Sequence, residues 1–99
     1  MTNQKPLRQH DGGIAVGAYL KFLREARGLK VDEVAEKIGT NDAQVWRIEN
    51  WKSDTRSTLL FRFILAVQGD ANDVFLLINN HNATIEDGKA IAKLRLGLK

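Results

Sequence analysis

The sequence predicts an all-α fold: a compact bundle of about five short helices, followed by a C-terminal extension open to helix or strand. Three observations carry this. Apolar residues recur at helical spacing along most of the chain. Glycines close these runs at Gly28, Gly39 and Gly69, where a residue without Cβ accepts the left-handed turn that ends a helix. Side chains able to cap a helix start stand before them at Asn41, Asp70 and Thr84.

Three regions follow from the pattern. Residues 1–13 are polar, hold Pro6 and the Gly12-Gly13 pair, and read as a flexible arm carrying Lys5 and Arg8. Residues 14–80 form the bundle. The first helix runs Ile14 to Arg27, with Val16, Leu20, Leu23 and Ala26 or Arg27 at helical spacing. The second runs Val31 to Ile38 and turns Val34, Ala35 and Ile38 inward. The third begins at once: Asn41 caps it, Gln44 stands where it can reach back, and Val45 and Ile48 point inward. Asp42, Ala43, Gln44, Trp46, Arg47 and Asn50 make its outer face. Two short helices joined through "GTN" at residues 39–41 form a helix-turn-helix. The fourth helix, Ser57 to Gln68, is almost wholly apolar and belongs in the core. The fifth, Asn72 to Asn79, follows Asp70 and offers Val74, Phe75, Leu77 and Ile78.

Residues 81–99 support two readings. Thr84 and Asp87 make a capping box, and Ile85, Ile91, Leu94 and Leu98 suit one helical stripe. "KLRLGLK", by contrast, alternates strictly, as a strand does. Either form exposes apolar surface, so this tail is expected to be a dimerisation element or to pack on its own domain.

Composition narrows the function classes. The chain has 99 residues, 43% hydrophobic and 27% charged, which suits one globular domain. With no Cys and only His10 and His81, neither a disulfide framework nor a Cys or His metal site is expected, and no cofactor is implied. No apolar run is long enough to span a bilayer, and the N-terminus lacks the pattern of a signal peptide, so a cytoplasmic home is expected. The net charge of +3 permits a nucleic-acid partner without requiring one. An enzyme is not expected: "GKA" at residues 88–90 lacks the rest of a phosphate-binding loop, and Asp32, Glu33 and Glu36 read as a solvated helix face.

The run "LKFLREARGLKVDEVAEKIGTNDAQVWRIEN", with the apolar fourth and fifth helices, resembles the Cro and phage-repressor (lambda-repressor-like) helix-turn-helix family from Leu20 to about Ile78. The resemblance implies a five-helix bundle whose third helix lies in the major groove of double-stranded DNA. It implies a structural ion pair between Arg24 and Glu49. It carries base reading to Asn41, Asp42, Ala43, Gln44 and Arg47, residue types able to pair with base edges. Phosphate contacts fall to Lys21, Lys30, Asn50, Lys52 and Arg56, with Lys52, Arg56 and Arg62 opposed by Asp54 alone in that stretch. The implied function is a transcriptional regulator, a repressor acting as a homodimer on an inverted repeat. A protein-interaction module on the same fold, such as an antitoxin with a toxin partner, is the alternative.

Three positions depart from the family pattern. Lys30 and Val31 replace the usual Ser or Thr and Gln at the second helix. Trp51 stands where Gly commonly follows the third helix, which predicts a longer helix or a different loop. The Pro common before the fourth helix is missing, Pro6 being the only one. Trp51 is expected in the core. Trp46 is open between DNA backbone and a second subunit.

Overall fold

The computed structural model describes residues 12–52 and 55–98. They form α1 (Gly13–Ala26), α2 (Val31–Ile38), α3 (Asp42–Glu49), α4 (Ser57–Ala66), α5 (Ala71–Ile78) and α6 (Ile85–Arg95). No strand occurs among the described residues. Of the two forms open for the tail, the helix is the one present. Thr84 and Asp87 make the capping box: the Asp87 N–H donates to Thr84 Oγ1 at 3.1 Å and the Thr84 N–H to Asp87 Oδ2 at 2.9 Å. The alternating leucines do not extend, because α6 stops at Arg95 and Gly97 turns left-handed with φ 80°.

α1 is the hub, packed against α3, α5 and α6, while α2 packs on α3 and α4. Val16, Tyr19, Leu20 and Leu23 of α1 meet Val34 and Ile38 of α2, Val45 and Ile48 of α3, and Phe63 of α4 in one core. Spacing of three and four residues puts each set on one helix face. Ala26 and Arg27 are exposed and end the inner face sooner than the spacing predicts. Arg27 instead serves α4, donating from Nε to the Val67 carbonyl at 3.1 Å and from Nη2 to the Gln68 carbonyl at 3.2 Å.

Three expectations need correction. The folded part begins before Ile14: Gly13 opens α1 and is buried, because the Trp51 indole occupies the space where its side chain would stand. Gly12 and Gly13 therefore belong to the bundle, and residues 1–11 of the expected arm lie outside the described residues. Next, α4 is not a core helix throughout. Phe63 and Ile64 are buried, but Phe61 is exposed and Leu65 is 77% exposed. Its closing left-handed residue is Gln68, φ 59°, rather than Gly69. The Gln68 N–H bonds the Leu65 carbonyl and the Gly69 N–H the Ile64 carbonyl, which satisfies the helix end. On α5, Val74 and Leu77 are buried and Phe75 is exposed.

The third correction concerns α6. Of its expected apolar stripe only Ile91 packs against the core; Ile85, Leu94 and Leu98 are exposed. Gly88 and Ala92 are buried instead. A Cβ on Gly88 would overlap the Ala15 carbonyl, so α6 meets α1 at backbone distance. Small residues permit that approach where leucines would hold the helices apart. A polar cluster fixes the far end of α6. Tyr19 Oη donates to Asp73 Oδ2 at 2.7 Å and accepts from the Asp70 N–H at 2.9 Å. Arg95 donates to both Asp73 oxygens, at 2.9 and 3.0 Å. Burial pushes the Asp73 carboxyl up, but the hydrogen bonds and charge of Arg95 and the Tyr19 hydroxyl pull it further down, below the usual carboxylate range. Burial, more than the hydrogen bond to Asp73, pushes the Tyr19 hydroxyl up.

Candidate nucleic-acid interface

The interface starts from the turn between α2 and α3. Gly39 is left-handed at φ 80°, which a Cβ would strain, and the Thr40 N–H closes on the Ala35 carbonyl at 2.9 Å. Arg62 reaches over from α4 and donates to the Ile38 carbonyl at 3.3 Å, a cation at the C-terminal end of α2. Asn41 then takes an extended conformation, and its Oδ1 accepts the Gln44 N–H at 2.9 Å. At the start of α2, where Lys30 replaces the usual capping residue, Glu33 Oε1 accepts the Lys30 N–H at 2.7 Å.

The inner face of α3 is held in three ways. Val45 and Ile48 are fully buried. Gly17 lets the Glu49 carbonyl sit directly on α1. Arg24 and Glu49 form a two-pronged ion pair, Nε to Oε2 at 2.5 Å and Nη2 to Oε1 at 3.2 Å, with both residues buried. Arg24 Nη1 also donates to the Leu29 carbonyl at 2.9 Å, so the loop before α2 hangs on the same guanidinium.

Helix α3 ends at Glu49, neither longer nor differently looped. Trp51 itself adopts the left-handed conformation, φ 51°. The Trp51 N–H bonds the Ile48 carbonyl and the Lys52 N–H the Arg47 carbonyl, the pattern expected with Gly at that place. The strain is offset by packing, since the indole is only 8% exposed and lies over Gly13.

The outer face carries the sequence-derived candidates together. Asn41, Asp42, Ala43 and Arg47 are exposed and Gln44 is half-buried, all within one short helix and its cap. Asp42 sits in the first turn, where the helix dipole favours an anion. Trp46 is 54% exposed on this face, and its carbonyl accepts from Asn50 Nδ2 at 2.9 Å. The phosphate candidates divide into two sets. Lys30 and Arg56 stand at the N-terminal caps of α2 and α4. Lys21, Asn50 and Lys52 line one groove of about 380 Å³ beside the C-terminal end of α3. Lys89 of α6 lines it too. No local motif marks Lys89; only the packing of α6 on α1 brings it there.

Comparison with known proteins agrees with this geometry. Residues 15–59 match the family model of a helix-turn-helix domain. That span holds α2, the turn, α3 and both members of the Arg24–Glu49 pair. The chain is also 46% identical over 79 residues to an uncharacterized 15.4 kDa protein in the HgiDIIM 5′ region of Herpetosiphon aurantiacus, a likeness covering 80% of this chain and 57% of that protein. The chain thus spans little more than half the length of that relative. No solved structure matches. No helix among the described residues is long and apolar enough to cross a membrane. Nor is any group of three or more His, Asp or Glu there placed to hold a metal ion.

Proposed function

We propose that the protein is a sequence-specific double-stranded DNA-binding transcriptional regulator of the lambda-repressor-like kind, a repressor that binds an inverted repeat as a dimer. The observation that carries this reading is the contrast between the two faces of α3. One face is locked by Val45, Ile48 and the buried Arg24–Glu49 pair. The other presents Asn41, Asp42, Ala43, Gln44 and Arg47 outward from a rigid support. A helix so held enters the major groove without ordering cost, and Arg47 can pair with guanine and Gln44 with adenine. Dimerisation is supported by apolar surface left open on α4 and α5, at Leu65, Phe75 and Leu76.

The second reading, a protein-interaction module such as an antitoxin, is favoured by one feature of the same face. Trp46 is a large exposed aromatic beside Asp42, a combination that suits a protein partner better than a phosphate backbone.

Selection of bound sites from a random duplex pool, with wild type and Arg47→Ala in parallel, tests the proposal. A two-fold symmetric motif that loosens at one position per half-site in Arg47→Ala is the expected result. Recovery of no motif by the wild type overturns sequence-specific reading and leaves the protein-interaction module.

A further inference from the structure

We infer that α6 is part of the DNA-contacting surface, with Lys89, Lys21 and Lys52 forming a cationic groove that seats the sugar-phosphate backbone beside the site read by α3. The inference rests on the reading of α3 as the DNA-reading helix. Asn50 and Lys52 follow directly on α3, so the groove adjoins the C-terminal end of the helix that carries Asn41, Gln44 and Arg47.

The charge balance of the groove favours an anion. Its lining includes two carboxylates, Glu25 and Glu49. Arg24 pairs with Glu49 and offsets it, while Glu25, 3.8 Å from Arg24 Nη2 and largely exposed, stays as one negative charge. Three lysines against that one carboxylate leave an excess of two positive charges. Lys89 faces Glu86 at 3.7 Å, an exposed pair one helix turn apart that holds the ammonium only weakly. Asn50 adds a donor, since Nδ2 carries two hydrogens and the Trp46 carbonyl accepts one. The lining also includes the apolar side chains of Ile14, Ala18, Phe22 and Ile85. Apolar side chains beside the lysines lower the local dielectric and strengthen attraction to a phosphate, while offering the sugar an apolar seat. The groove is larger than one phosphate group needs, which suits a length of backbone.

Lys89 is in this groove by construction of the fold. Gly88 abuts the Ala15 carbonyl and Ala92 is buried, so the register of α6 on α1 is fixed and the residue after Gly88 lines the same groove as Lys21.

The test measures affinity across a range of salt for a selected duplex and a random-sequence duplex, using wild type, Lys89→Ala and Glu86→Ala. Lys89→Ala is expected to weaken both duplexes by a similar factor, roughly threefold to tenfold near 0.1 M salt, and to lower the log–log salt slope by about 0.9. The selected motif and the melting temperature stay as in wild type. Glu86→Ala, which breaks the same surface pair but keeps the cation, retains wild-type affinity or gains some. Wild-type affinity and slope in Lys89→Ala, with wild type binding DNA normally, overturn the inference and leave the reading of α3 intact. Failure of the wild type to bind any duplex removes the reading of α3 and the inference with it. Inorganic phosphate titrated against both proteins gives the remaining outcome: saturable binding lost in Lys89→Ala, with an unchanged DNA salt slope, assigns the groove to a free anion and overturns the inference.

Discussion

Arg24 with Glu49 and Arg95 with Asp73 are the same chemistry in two settings. Each is a two-pronged guanidinium–carboxylate pair between distant helices. Arg24 and Glu49 are both buried and fasten α3 to α1 inside the helix-turn-helix. In the other pair the Asp73 side chain is buried, but that of Arg95 is 41% exposed, and the pair fastens α6 to α5 outside that segment. Losing one partner of the first leaves a charge in the core with nowhere to go. Losing Asp73 from the second leaves a guanidinium that water can reach, whereas losing Arg95 leaves a buried carboxylate with only the Tyr19 hydroxyl, among the described residues, to hold it. The two pairs therefore divide the labour: one fastens the reading helix α3 to α1, and the other fastens α6 to α5 and, through the Tyr19 hydroxyl on Asp73, to α1.

Three substitutions probe that contrast. Glu49→Ala strands Arg24 and is expected to cost about 3–5 kcal/mol in denaturant unfolding. An unchanged melting temperature would remove the pair from the argument. Trp51→Gly restores the residue that the left-handed turn prefers, yet is expected to destabilise by about 2–3 kcal/mol. The reason is that the space over Gly13 left by the indole outweighs the strain relieved. A gain in stability would show that strain, not packing, decides this loop. Asp73→Asn is expected to cost about 1–2 kcal/mol, with the loss concentrated in α6 by hydrogen exchange. Loss spread evenly over α1 to α3 would refute the division between the two pairs.

The second pair also predicts a pH dependence. The folded Asp73 carboxyl is held below its ordinary value of 3.8. Its contribution is then fully present above that value and fades as pH falls through the lower folded value. Melts taken from neutral to about pH 3 should show an acid limb for wild type that is shallower in Asp73→Asn. Identical limbs would place the acid sensitivity elsewhere.

The same contrast separates what was legible in the sequence from what was not. The bounds of α2 and its turn into α3 were readable because each signal is local: Gly39 for the turn, Asn41 for the cap, a three-four spacing for the inner face. The Arg24–Glu49 pair was readable only through resemblance to a family. The Tyr19–Asp73–Arg95 cluster was not readable, since its members lie 54 and 22 residues apart and each alone looks like a surface polar residue or a core aromatic. In α4 nearly every position is apolar, so periodicity has no contrast with which to mark the buried side. In α6 periodicity marked Ile91 correctly but three exposed residues wrongly, because close helix packing selects small residues such as Gly88 and Ala92 rather than large apolar ones. The outward placement of Asn41 to Arg47 followed from the local pattern, whereas the place of Lys89 beside Lys21 needed the tertiary fold.

The most direct test of α3 as the DNA-reading element is an NMR titration of the labelled chain with the duplex recovered by selection, following every backbone amide. Shifts concentrated at Asn41 to Arg47, with a second set around Lys21, Lys52 and Lys89, are expected. Amides from Asn41 to Arg47 that stay still while the exposed apolar surface of α4 and α5 responds would contradict it.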